Sequence, residues 1–169
     1  IFEDTDIRVN VYGKQSLYDF GMRGHLAVNR ASDNEAVTIK LEYRPKRWKK
    51  HIVLIGKGLT YDTGGLSIKP TNSMLDMKCD KGGAMTVLGI MKAIEELGVK
   101  YKVTAYLALA ENSIAGNAYR PGDVLTMKNG KTVHVKNTDA EGRIVLFDNI
   151  CLAEEQNPKF DEMYTFATL

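Results

Sequence analysis

Three glycine-rich stretches of this chain each set acidic and basic side chains close together. GKGLTYDTGGLSIKP at 56–70 carries Lys57, Asp62 and Lys69; MKCDKGG at 77–83 carries Asp80; NTDAEGR at 137–143 carries Asp139, Glu141 and Arg143 at alternate positions. Four carboxylates balance the charge of two divalent cations, and a neutral cluster of that kind is tolerable in a partly buried cleft. Lys57 offers a fifth donor through a neutral amine. An ordinary lysine has a pKa of about 10.4, and desolvation and a nearby metal both favour the uncharged form. Oxygen donors with one nitrogen suit zinc, manganese or cobalt. Two cations remain. An ammonium at Lys69 can polarise a carbonyl and stabilise an oxyanion, and the Arg143 guanidinium can clamp a small anion or a carboxylate.

Each stretch also has a purely structural explanation. Gly56-Lys57-Gly58 hints at a phosphate loop, but that motif needs Ser or Thr after the lysine, and Gly58 stands there. Thr138 and Glu141 have the spacing of a capping box. Asp80 could cap the helix expected from Gly83. Lys69 and Arg143, taken singly, could be surface ion pairs. None of these explains three loaded loops at three expected strand ends. The histidines are not expected ligands: His25 and His51 fall at expected strand starts, and His134 alternates within a hairpin.

The elements that must position these loops follow from periodicity. Residues 8–12 and 38–43 alternate as half-buried strands, with a short helix between them at 14–20. His51–Ile55 is a continuous apolar run, as in a buried central strand, and the loaded loop is expected from Gly56 onward. Gly83–Leu97 repeats apolar residues at helical spacing, with Gly98 where a C-terminal cap belongs. A second buried strand is expected at 101–110, then a hairpin around Asn129-Gly130 with a type I′ turn. A second long helix is expected at 142–155 and a strand-like run at 163–168. Strands alternating with helices predict an α/β fold with a partly parallel sheet, whose sites lie at the carboxyl ends of the strands.

Composition narrows the class. The chain has 169 residues, 44% of them apolar and 26% charged, and a net charge of +2. That describes an ordinary globular domain rather than a nucleic-acid-binding one. The densest basic stretch, residues 44–50, reads as a solvated loop. Two cysteines without a CxxC spacing suggest a reducing compartment. No run approaches the ~20 apolar residues that span a bilayer, and none reads as a signal peptide. The chain starts without Met and ends in a strand-like pattern, so it is expected to be a piece of something longer.

Together the three quoted stretches resemble the leucyl aminopeptidase family, the dimetal exopeptidases of the cytosol, over nearly all of residues 37–169. AEN at 110–112 and YRPGD at 119–123 resemble it too. The resemblance implies a zinc-exopeptidase-like fold of three layers, a mixed and mostly parallel sheet flanked by helices, incomplete at its C-terminus. It implies that residues 1–169 are part of one catalytic domain, without the family's separate N-terminal domain. By resemblance, Lys57, Asp62, Asp80 and Glu141 hold a tight metal. Asp62, Asp139 and Glu141 hold an exchangeable one, with help from the Asp139 carbonyl. Zinc and manganese are the expected ions, with cobalt and magnesium as alternatives. Lys69 polarises the scissile carbonyl, and Arg143 holds a bicarbonate that serves as general base. Met77 lines the pocket for the first side chain, and Thr168 and Leu169 contact the peptide.

The implied activity is release of leucine-like N-terminal residues by a metal-bridged hydroxide. The implied substrates are peptides with a free N-terminus, and the implied setting is a cytoplasmic homohexamer, with no membrane and no nucleic acid. The competing readings are a non-catalytic, regulatory or DNA-binding member of the same family, a two-metal phosphoesterase, and a folded chain with an incomplete cleft.

Overall fold

The computed structural model describes residues 1–169. Seven strands and five α-helices follow in the order β1 Ile7–Tyr12, α1 Lys14–Asp19, α2 Arg23–Val28, β2 Val37–Tyr43, β3 His51–Asp62, α3 Thr71–Met74, α4 Gly82–Leu97, β4 Lys102–Asn112, β5 Val124–Thr126, β6 Thr132–His134, α5 Glu141–Gln156 and β7 Glu162–Phe166. One-turn 3-10 helices at Met77–Cys79 and Thr138–Ala140 precede α4 and α5. The main sheet has the order β1-β2-β4-β3-β7. β3 is parallel to β4 and to β7, while β2 is antiparallel to both its neighbours. Four of the five strands therefore point the same way, and their carboxyl ends share one edge.

Burial on both faces explains the unbroken apolar run of β3. Leu54 faces a core with Ala84, Val87 and Met91 of α4. Val53 and Ile55 face another core with Leu17 of α1 and Leu152 of α5. This is the expected three-layer arrangement, with α4 on one face and α1, α2 and α5 on the other. Helix α4 ends at Gly98, whose φ of 59° is the left-handed cap expected there.

Several expectations change. β3 does not stop at Ile55; it pairs with β4 through Asp62, so Lys57 and Asp62 lie on a strand rather than in a loop. Glycine runs read as loops from sequence, but here Gly56 and Gly58 let helix α4 approach: a Cβ on Gly56 would lie 2.5 Å from the Ala84 Cα. The hairpin exists, but without a type I′ turn. Thr126 pairs with Thr132, and only Gly130 has positive φ, at 82°. Gly130 N donates to Met127 O, the longer turn closed by a left-handed glycine. His25 lies inside α2, not at a strand start. The final strand ends at Phe166, leaving residues 167–169 outside it.

Candidate metal centre

Two residues of β3 begin the site. Lys57 and Asp62 are five apart, which in a regular strand would send them to opposite faces. The register shifts between Leu59 and Asp62: Leu59 pairs with Ala110 and Asp62 with Asn112, three steps against two. This bulge inserts one residue and turns Asp62 to the same side as Lys57, facing the start of α5. Asp80 arrives from the turn before α4, held to β3 because Leu59 N donates to the Asp80 carbonyl at 3.2 Å. Lys81 Nζ secures the same turn by donating to Thr60 O at 2.9 Å and Lys78 O at 2.6 Å. Asp139 and Glu141 come from the turn into α5. Gly142 leaves room there for the Lys57 chain: a Cβ on it would lie 2.7 Å from Lys57 Cε.

The six charged groups converge. Lys57 Nζ lies 2.8 Å from Asp80 Oδ1 and 2.9 Å from Glu141 Oε1. Lys69 Nζ lies 3.1 Å from Asp62 Oδ2 and 2.5 Å from Asp139 Oδ1. Oxygens of Asp62, Asp139 and Glu141 all fall within 4.8 Å of one another. Lys57, Asp62, Asp80 and Glu141 are buried, whereas the Asp139 side chain remains 30% exposed. Thr168 Oγ1 donates to Asp80 Oδ1 at 2.6 Å.

The structural explanations fare poorly. Lys81, not Asp80, stands at the N-cap of α4, and no side chain caps it. Thr138 makes no capping box; its hydroxyl accepts from Ser67 N at 2.8 Å and donates to Gly64 O at 2.6 Å. It clips the 137–141 turn to the Gly64–Gly65 turn, where φ angles of 84° and 66° require glycine. The cap of that turn is Asn137, whose side chain accepts from Asp139 N.

Charge decides what the cluster can hold. Four carboxylates face two ammonium groups, a surplus of two negative charges in a largely buried place. Asp80 Oδ2 and Glu141 Oε2 are buried with no hydrogen-bond partner. Buried anionic oxygens left unpaired are costly, and divalent cations would satisfy both the charge and the oxygens. The donor set fits such ions. Lys57 is pulled two ways. Burial pulls its pKa down, but the Asp80 hydrogen bond and the Glu141 charge together outweigh burial and hold it above the usual lysine range. Lys69 is likewise raised: burial works against its charge, but Asp139 and Asp62 outweigh it. Burial raises the Glu141 carboxyl, with Lys57 opposing.

The remaining candidates stand apart. Arg143 is exposed, Met77 is half-buried in the turn before Asp80, and Leu169 is fully exposed. A cleft of about 930 Å³ between α1, α2 and β5 contains none of these residues. Sequence reasoning missed Asn112 and Tyr119 as parts of the site; both are buried beside it, and a polar residue closing an apolar strand was the available signal for Asn112.

The model of the cytosol aminopeptidase family catalytic domain matches residues 2–169. The chain belongs to the cytosol aminopeptidase family. Among its relatives in that family is a probable cytosol aminopeptidase of Helicobacter hepaticus, 50% identical over 99% of this chain and 35% of its own length. The cytosol aminopeptidase of Coxiella burnetii superposes with a TM-score of 0.92 at 33% identity, over 99% of this chain and 36% of that one. The leucyl aminopeptidase of Trypanosoma brucei in complex with bestatin superposes at 0.88 with 38% identity, over 92% of this chain and 30% of that one. The chain thus spans about a third of the length of the family members it matches. Membership favours the exopeptidase reading over a two-metal phosphoesterase. No helix is long and apolar enough to cross a membrane, and both cysteines are free.

Proposed function

We propose that this chain carries the metal centre of an aminopeptidase that releases leucine-like N-terminal residues from peptides. The observation that supports it best is the buried surplus of negative charge, with Asp80 Oδ2 and Glu141 Oε2 unpaired. Lys57, Asp62, Asp80 and Glu141 would hold one divalent ion, and Asp62, Asp139 and Glu141 the other, with the Asp139 carbonyl assisting. Zinc or manganese suits these donors. When bound, such ions supply a Lewis acid and a water acidified toward neutral pH.

The protein's own groups do the rest. Lys69, now shared between Asp62 and Asp139, turns to the scissile carbonyl and stabilises its oxyanion. Arg143, exposed two residues after Glu141, would hold a bicarbonate, which would supply a general base. The metal centre would also hold the substrate's free α-amino group, which restricts cleavage to the first residue. Met77 lines the pocket for that residue, and Thr168 and Leu169 contact the peptide. The same reading includes a cytoplasmic location and hexameric assembly, and it takes residues 1–169 as part of one catalytic domain. Hydrolysis of leucine para-nitroanilide with added manganese or zinc tests the activity. Metal-dependent release that Asp139→Ala abolishes is expected; metal-independent release, or full activity in Asp139→Ala, overturns the reading.

A further inference from the structure

Asn112 closes β4, fully buried, with Asp62 opposite it in the parallel register. Its amide nitrogen donates to two acceptors in different segments, Asp62 Oδ1 at 2.8 Å and Thr138 O at 3.0 Å. Both acceptors lack a proton to give, so they fix which end of the amide is nitrogen. Gly64 N also donates to Asp62 Oδ1, at 2.9 Å. One oxygen of Asp62 is thus spent on two donors. The other, Oδ2, is left toward the carboxylate cluster, where Lys69 meets it. Tyr119 completes the arrangement. Its buried hydroxyl donates to the same Thr138 carbonyl at 2.6 Å. Across that peptide bond, Asp139 N donates to Asn137 Oδ1 at 2.7 Å. The peptide plane entering Asp139 is therefore held by two donors on one side and an acceptor on the other.

We propose that Asn112 and Tyr119 are positioning residues of the metal centre: Asn112 reserves Asp62 Oδ2 for the cation, and the pair fixes the Thr138–Asp139 peptide that aims Asp139. This rests on the dimetal reading above. Both act through other groups, Asn112 through Asp62 and Thr138 and Tyr119 through Thr138. Their effect is on the angle and availability of donors, and loss of a partner that hydrogen-bonds a metal ligand typically costs 10–100-fold in metal affinity. Tyr119 suits the task because its phenol stays protonated: burial first, then the charges of Glu141, Asp62 and Asp139, push its pKa well up.

The test is Mn2+ binding to the chain, read from the free-ion electron paramagnetic resonance signal. The variants are Asn112→Leu and Tyr119→Phe, with Tyr106→Phe as control. Tyr106 is equally buried and its hydroxyl is bonded to Gln156 and Asn157, away from the carboxylates. The control separates lost stability from lost positioning. We expect Mn2+ affinity about 10–100-fold weaker in Asn112→Leu and about 10-fold weaker in Tyr119→Phe, with Tyr106→Phe binding as the parent while melting lower. Parent-like affinity in Tyr119→Phe, or equal weakening in the Tyr106→Phe control, overturns the proposal and leaves the dimetal reading intact. A parent chain that takes up no Mn2+ overturns both. Should Asn112→Leu fail to fold, Tyr119→Phe decides alone.

Discussion

Lys69 sits between Asp62 and Asp139 with only 15% of its side chain exposed, and its ammonium occupies space where a cation is otherwise wanted. It should therefore act in two opposed ways. Replacing it with methionine keeps the bulk and removes the charge. We expect Lys69→Met to lower leucine para-nitroanilide turnover by about 10²–10³-fold, the usual cost of losing one oxyanion donor. Mn2+ should bind the same variant at least as tightly as the parent, since a competing ammonium is gone. Weaker Mn2+ binding would make Lys69 a structural counter-ion instead. At this scale residue types were legible: acid, lysine and glycine concentrated in three short stretches announce the cluster. Two things were not. The β3 bulge that puts Lys57 and Asp62 on one face has no local composition signal, because a bulge is defined against the partner strand. The partners of Lys57 were not legible either: Asp80 and Glu141 are distant in sequence, and together they outweigh burial and hold its pKa above the usual lysine range.

Among the elements, the contact between β3 and α4 carries the most consequence for the site, because the turn holding Asp80 leads directly into α4. Gly56 permits that contact: a side chain there would meet the Ala84 Cα at 2.5 Å and the Gly83 carbonyl oxygen at 2.8 Å. These are backbone atoms and cannot swing aside. We expect Gly56→Ala to destabilise the chain by about 1–3 kcal/mol, the usual cost of overpacking, read as a lower midpoint in urea. An unchanged midpoint would mean that α4 can shift freely on the sheet. The two long helices and the starts of most strands followed from periodicity, because each buries one clear stripe or two clear faces, whereas the short helices α2 and α3 did not. The boundaries failed where glycine does unusual work. Gly56 and Gly58 read as a loop yet sit mid-strand, since close helix packing asks for the same residue as a turn does. In the hairpin, Asn129 was expected at positive φ but hydrogen-bonds Lys131 through its side chain instead.

For the whole molecule, the wall between α2, β4 and α5 sets the response to acid. His25 is completely buried. Its Nε2 lies 2.8 Å from Leu109 O, and its Nδ1 lies 3.1 Å from Asn149 Nδ2. Burial lowers its pKa from 6.5 to about 4, the Leu109 hydrogen bond only partly opposing. The folded pKa is below the unfolded one, so the contribution is complete above pH 6.5 and is lost as pH falls from 6.5 to 4. It amounts to about 3 kcal/mol. Burial raises Asp148 and Glu141 above their ordinary 3.8 and 4.5, so each acts in the opposite sense, adding stability as pH falls through its raised value. The His25→Gln variant isolates the histidine: its unfolding free energy should fall less steeply than the parent's between pH 6.5 and 4.5, and parallel curves would refute the assignment. The three-layer fold was legible from the alternation of strands and helices, but this wall was not. His25 read as a strand start, because its partners Leu109 and Asn149 are brought to it only by the sheet and by α5. The same long range governs the metal centre, whose clip joins Thr138 to Gly64 across 74 residues. We expect contacts so distant to close late in folding, after the β3–α4–β4 crossover is in place. Metal then acts as a latch on the finished chain rather than a template for it. Mn2+ should slow unfolding in denaturant while leaving the refolding rate nearly unchanged, and faster refolding with the ion would show that the ligands gather early.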